Sequence, residues 1–180
     1  RPALWKLLNS RSERRQHAIN SRAQPVIAAM EKPLAVIVGY GPVGRVVDAL
    51  LRDAGFHTVI VEMNMKSVEA LAKSGRTAIY GDATRSEILE QAGVRRAKYL
   101  VVTLPHSASR ADLVHAAREL NASVTIVIRA RYLAEGEALR LAGSTRTVFE
   151  EGETGIAIAR QVMELRGMDA ATIDRILDAI

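Results

Sequence analysis

The chain has 180 residues, is 48% apolar and carries a net charge of +5, a length that suits one domain with its own core and a composition that excludes a disordered chain. It has no cysteine, which excludes disulfides and thiol chemistry. No apolar run reaches the roughly 18 residues that cross a bilayer, and no secretory signal is present.

The positive charge is local. Residues 1–32 hold seven Lys/Arg against two Asp/Glu, and the remainder holds 18 of each. The globular part is therefore neutral, and an isoelectric point near 9.9 does not point to nucleic acid. Lys and Arg gather on the cytoplasmic flanks of membrane helices, which accounts for the same surplus. Residues 1–33 read as a basic juxtamembrane linker, with Arg11, Arg14, Arg15 and Arg22 clustered and Leu4, Trp5, Leu7 and Leu8 forming an apolar patch at its start. Two readings stand: the end of a membrane anchor followed by a connecting helix, or a solvated helix that packs on the domain. A first residue that is Arg and not Met reads as a piece of a longer protein or as a processed one.

From residue 34 strands and helices alternate. Leu34–Val38 is a continuous apolar strand, and Val43, Val46, Val47, Leu50, Leu51 and Ala54 follow at helical spacing to Gly55. Further strands are expected at 58–61, 77–80, 99–104, 124–129 and 147–149, each separated from the next by a helix-sized segment. Six such units imply an α/β fold with a doubly wound parallel six-stranded sheet of Rossmann type over residues 34–150. With only seven Phe, Trp and Tyr in the chain, the core falls to Val, Ile, Leu and Ala, as parallel strands buried on both faces require. Residues 151–180 read as one longer helix with Ile156, Ala159, Val162 and Met163 on a face, then a short one. The longer helix either folds back on its own sheet or packs on a partner subunit.

The motif that carries chemistry is Gly39-Tyr40-Gly41-Pro42-Val43-Gly44, directly after the first strand and opening the first helix. The first glycine allows the turn, the second lets the backbone approach a pyrophosphate, and the third lets helix and strand pack closely. The helix N-terminus offers N–H groups and a positive dipole end to the phosphates. Glu62 closes the second strand, where a carboxylate binds both ribose hydroxyls and repels the 2′-phosphate of NADP; its bland alternative is a cap for the next helix. The expected ligand is NAD(H) or AMP, ADP or ATP. Asp82 and Ala83 lie at the carboxyl edge after the third strand, placed for adenine. Thr84 and Glu87 have the capping-box spacing. Thr103 ends the fourth strand, placed for a phosphate or ribose, and His106 beyond it either titrates near neutral pH or is a solvated loop residue. Arg129 and Arg131 end the fifth strand. Arg129 is expected to face the ligand as a phosphate fork, against surface pairing with Glu135 or Glu137. The four His (17, 57, 106 and 115) lack the tight spacing of a metal pair, so no metal site is expected.

The stretches AVIVGYGPVGRVV, VIVE, YGDAT, LVVT and IRAR, over residues 34 to about 165, resemble the RCK N-lobe, also called KTN or TrkA-N, with RSEILEQAGV and IRAR similar to the cytosolic domains of glutathione-gated potassium-efflux type cation:proton antiporters. That resemblance implies a regulatory domain at the cytoplasmic face of the bacterial inner membrane, following a transmembrane antiporter domain, and a homodimer built with the crossover helix in 151–180. It implies nucleotide contacts from Gly39, Gly41, Gly44, Glu62, Asp82, Ala83, Thr84 and Arg129. The chain departs from the pattern in having Glu62 where members often carry Asp, and Pro105-His106 where antiporter domains often carry an acidic pair; no glutathione contact is carried over. The expectation is a sensor and not an enzyme. The alternatives are a stand-alone regulatory subunit of a potassium channel or uptake system, and an NAD-dependent oxidoreductase fragment, for which the residues after the sixth strand are too few to form a substrate domain.

Overall fold

A computed structural model describes residues 2–30, 34–105 and 110–179, with side chains from residue 13 onward. His106, residues 31–33 and the side chains of Leu4, Trp5, Leu7, Leu8 and Arg11 lie outside that description.

Six parallel strands, β1 (Leu34–Val38), β2 (His57–Glu62), β3 (Ala78–Tyr80), β4 (Tyr99–Val102), β5 (Thr125–Ala130) and β6 (Arg146–Phe149), form one sheet in the order β3-β2-β1-β4-β5-β6. Strand order reverses between β1 and β4, and Val38 is in register with Val61 on one side and Val102 on the other. The carboxyl ends of these strands therefore form one rim around the reversal, the place where open α/β sheets bind ligands. All five residues of β1 are buried, because helices cover both faces there.

Alternate residues divide the core in two. Val36, Val38, Val59, Val61, Leu100, Val102, Ile126 and Ile128 face α4 (Ser86–Gln91), α5 (Arg110–Leu120) and α6 (Glu135–Ala142), through Leu89, Leu113, Val114 and Leu139. Ile37 and Ile60 face α2 (Pro42–Asp53) and α3 (Met65–Lys73), through Val47, Leu51, Val68 and Leu71. Right-handed crossovers leave the second face covered only over β1–β3. On its other half Val101 and Val127 are only half-buried and Val148 is exposed. α7 (Glu150–Leu165) does not fill that space: none of its residues is buried, and it packs on α8 (Ala170–Leu177). Ile156, Ala159 and Met163 are half-buried, whereas Ile158, Val162 and Leu165 are open to solvent.

The basic segment is a single helix, α1 (Pro2–Ala29), and its second half lies on the β3 edge of the sheet. Ile27 is buried in the main core. Asn20, 3% exposed, accepts from the Tyr80 N–H at 2.9 Å and donates to the Tyr80 carbonyl at 2.9 Å, satisfying both outward groups of an edge strand. Arg96 donates to the carbonyls of Ile27 and Ala28 at the end of α1 and of Met30 just beyond it. The second half of α1 thus packs on the sheet domain across the sequence boundary at residue 33.

Asp48 of α2, 1% exposed, accepts from Arg76 at 2.5 Å and from the Thr58 hydroxyl at 2.8 Å, tying α2 to β2 and to the turn before β3. Burial pushes its carboxyl up, but the Arg76 and Thr58 hydrogen bonds and the charges of Arg76 and Arg52 outweigh that and hold it below the ordinary aspartate value.

Two measurements follow. Removing the Asn20 amide strands both Tyr80 backbone groups, so Asn20→Ala lowers unfolding free energy by about 1–3 kcal/mol; an unchanged urea midpoint would show that α1 does not hold the edge. Because the Asp48 value is lower folded than unfolded, its stabilisation is present above the unfolded value and is lost as pH falls through the folded one. Stability therefore falls as the pH drops below the ordinary aspartate range, and less steeply in Asp48→Asn; parallel pH profiles for the two proteins would refute the assignment.

Candidate functional site

β1 ends in a loop whose three glycines stand in three different settings. Gly39 has φ +95, and a Cβ there would lie 3.0 Å from Thr103 Oγ1 and from a Leu104 methyl. At Gly44 a Cβ would lie 2.2 Å from the Gly39 carbonyl oxygen and 2.9 Å from Thr103 Oγ1, so only glycine lets α2 start this close to the strand. Gly41 has φ −72, an ordinary value, and a Cβ there would meet nothing within 4 Å. The fold does not demand glycine at that position, and the open space leaves the Gly41 backbone accessible to close approach from outside the chain. Gly41 is also the N-cap of α2 with no side-chain cap, and Pro42 follows at the first helical position, so the first-turn N–H groups stay available to an anion. Val43 stands 39% exposed just inside the helix.

Glu62 accepts from the Tyr40 N–H at 2.8 Å through one oxygen and from the Asn64 N–H at 2.8 Å through the other. Both bonds hold the carboxylate at the rim beside the glycine loop, and its remaining acceptor positions suffice for two hydroxyls. It does not cap α3; Asn64 does, accepting from Ser67 N. Tyr40 is half-buried against the α2–α3 core and stacks with Arg45, the guanidinium carbon 5.6 Å from the ring centre.

The other expected site residues divide between rim and support. Asp82 Oδ1 accepts from both the N–H and the hydroxyl of Thr84 at 2.9 Å. That overturns the capping box: α4 begins after Arg85, its N-cap makes no side-chain bond, and Glu87 pairs with Arg85 at 2.6 Å. Asp82 takes the Thr84 N–H that Glu87 would accept in a capping box, and the Thr84 hydroxyl donates to the same carboxylate, so the side chain closes a turn instead. Ala83 is buried in the main core and offers only its backbone. Thr103 is buried; its hydroxyl lies 3.1 Å from the carbonyls of Val38 and Gly39, so it braces the glycine loop from beneath.

Arg129 donates through Nη1 to the Thr103 carbonyl at 3.2 Å and through Nε and Nη2 to the two oxygens of Glu150 at 2.6 and 2.9 Å. Its partner is neither Glu135, which takes Arg110, nor Glu137, which takes Arg140. The Glu150 bonds hold the guanidinium more basic than usual, and Arg129, helped by the charges of Arg131 and Arg110, holds Glu150 below the usual carboxylate range. Arg131 lies over the Tyr132 ring instead, 5.3 Å from its centre. Glu150 is the functional neighbour that sequence reasoning missed. The signal was the β5–β6 register, in which Arg129 lies opposite Val148, two residues before it.

Gly39–Gly44, Glu62, Thr103 and Arg129 are thus joined by a chain of hydrogen bonds around one rim, with Asp82 and Thr84 one strand further along. Beside it, on the uncovered half of the sheet, lies a cleft of about 350 Å³ lined by Val43, Thr103, Arg129, Val148, Glu150 and Glu153 among others. Among the described residues no cluster of His, Asp and Glu is placed to hold a metal, and no helix is long and apolar enough to cross a membrane.

The model of the TrkA-N domain matches residues 35–150. The glutathione-regulated potassium-efflux system protein KefC of Cronobacter sakazakii is 30% identical over 138 residues, which are 77% of this chain and 22% of that protein; the chain therefore spans about a fifth of that relative's length. The crystal structure of the TrkA-N domain of the inner membrane protein ybaL from Escherichia coli superposes with a TM-score of 0.66 at 32% identity, covering 74% of this chain and 96% of that one. The Shewanella denitrificans Kef C-terminal domain in its AMP-bound form has a TM-score of 0.63 at 26% identity, covering 81% and 89%.

The three glycine roles separate by substitution. Gly44→Ala loses about 1–3 kcal/mol of unfolding free energy from overpacking, whereas Gly41→Ala stays within about 0.5 kcal/mol of wild type. Equal losses in urea unfolding would mean that Gly41 is structural as well.

Proposed function

Because this chain belongs to the TrkA-N domain family, we propose that it is the ligand-sensing regulatory domain of a bacterial potassium (monovalent cation):proton antiporter, working at the cytoplasmic face of the inner membrane and binding an adenine nucleotide at the β1–β4 rim. The observation that carries the reading is the open space at Gly41, flanked by two glycines whose space the protein itself fills. A phosphate seated there meets the uncapped start of α2, while Glu62, held by two backbone N–H groups, receives the ribose hydroxyls. The potassium-efflux relative KefC and the putative cation/proton antiporter YbaL of Escherichia coli favour an antiporter, and the AMP-bound Kef domain favours an adenine nucleotide. In this reading Asp82, Ala83 and Thr84 border the adenine, Arg129 reaches the phosphate, and Thr103 acts on the loop from below. The role in this reading is regulatory, in line with the KefC relative, a glutathione-regulated potassium-efflux system protein. The uncovered valines of β4–β6 and the solvent-facing stripe of α7, Ile158, Val162 and Leu165, support a homodimer in which α7 of one copy covers the sheet of the other and gating passes through that contact.

A thermal-shift screen of the 180-residue chain against AMP, ADP, ATP, NAD, NADH and NADPH tests this. A ligand at about 100 times its dissociation constant adds about 2.7 kcal/mol, a rise of roughly 5–11 °C for a domain of this size. The rise is expected with an adenine nucleotide other than NADPH and is abolished in Glu62→Ala. No rise with any of them would reduce the rim to a structural remnant.

A further inference from the structure

We propose that the Arg129–Glu150 pair is a latch on the root of α7 that the phosphate of a bound nucleotide opens, by taking the Arg129 guanidinium from Glu150. The proposal rests on the adenine-nucleotide reading above and adds to it the route by which occupancy reaches α7.

Three observations carry it. First, the pair is coupled to the cradle: Thr103 Oγ1 lies 3.1 Å from the Gly39 carbonyl, and the Thr103 carbonyl accepts from Arg129 at 3.2 Å. Arg129, Thr103 and Val148 share one sheet face with the start of α2, so the guanidinium looks into the cleft that an anion on the glycine loop borders. Second, Glu150 occupies the fork that a phosphate would use. It takes two parallel N–H bonds, at 2.6 and 2.9 Å, the same bidentate geometry by which guanidinium binds phosphate. Both acids cannot hold that fork, and the first turn of α7 brings Glu153 to the same cleft, so an arriving phosphate also meets like charge. Third, α7 has little else to hold it to its own sheet. None of its residues is buried, and its other ion pair, Arg160 with Asp174, runs to α8. Loss of the Glu150 bonds at its first residue therefore frees the helix to pivot at Phe149, while its apolar stripe remains available to another surface.

Linkage makes the latch measurable, because whatever weakens Glu150's hold on Arg129 must strengthen the phosphate ligand by the same factor. Calorimetric affinities of AMP and adenosine are measured for the wild-type chain, Glu150→Gln, Arg129→Gln and the double variant, with amide hydrogen exchange of 150–165 followed in parallel. Glu150→Gln should bind AMP about five- to tenfold more tightly, leave adenosine unchanged, and lose its effect when Arg129 is also Gln. In the wild type, AMP and not adenosine should speed exchange at the start of α7. AMP binding that is indifferent to Glu150→Gln, or a gain that persists without Arg129, would overturn the latch and leave the nucleotide site standing. Failure of AMP and adenosine to bind wild type and Glu150→Gln alike, together with no thermal shift from any of the six nucleotides above, would overturn the site itself, and the latch with it.

Discussion

The missing atom at Gly44 fixes more of this molecule than any atom present. With a Cβ 2.2 Å from the Gly39 carbonyl, α2 would have to withdraw from β1, and everything referenced to that contact would move: the Thr103 hydroxyl beneath the loop, the Tyr40 N–H that Glu62 accepts, and the Val47 and Leu51 contacts with Ile37 and Ile60. The close approach also aims the open end of α2 at the rim, so one steric constraint sets the packing of one face and the polarity of the site together.

Charge is handled differently in the body and at the rim. In the body, Asp48 is sunk against β2 with Arg76 and Thr58, an arrangement that a ligand cannot reach and whose dominant cost, burial, is outweighed by its hydrogen bonds. At the rim, Glu62 and Arg129 keep part of their surface open. A carboxylate held by two N–H groups and a guanidinium held by one removable acid are opposite designs. The first has its position fixed by the backbone; the second, in the latch proposed above, would exchange its acid for a phosphate.

Much of this was legible in the sequence, for local reasons. The six strands announce themselves as runs of Val and Ile bounded by glycine, and the glycine loop is read from three residues and the strand before them. Glu62 follows from its position at the end of β2. What stayed hidden depends on contacts between distant residues. Nothing around Asn20 says that it will bond Tyr80, 60 residues on, or that Arg96 will close the end of a helix 66 residues or more before it; the basic segment therefore looked separate from the domain on which it lies. The capping box failed for a competitive reason, since the pattern Thr84 to Glu87 is correct but Asp82 takes the Thr84 N–H and hydroxyl. Arg129 was found and its partner was not, because the candidates were sought within a few residues, while parallel strands bring together residues about twenty apart.

A sheet of this kind has an inherent asymmetry that bears on how binding is converted to a signal. The crossovers cover one face over all six strands and the other over three, and the ligand rim runs along the border between the covered and open halves of that second face. A ligand shifts a conformational equilibrium only by the difference in its affinity for the two states. The glycine loop offers no such difference, being packed against β1 and Thr103 too tightly to take a second arrangement. An element that changes must therefore lie on the open side of the border, where side chains have two possible partners and helices are not buried. Arg129 stands on the open side of that border, on β5, bonded on one side to the backbone under the glycine loop and on the other to the first residue of a helix with no buried residue.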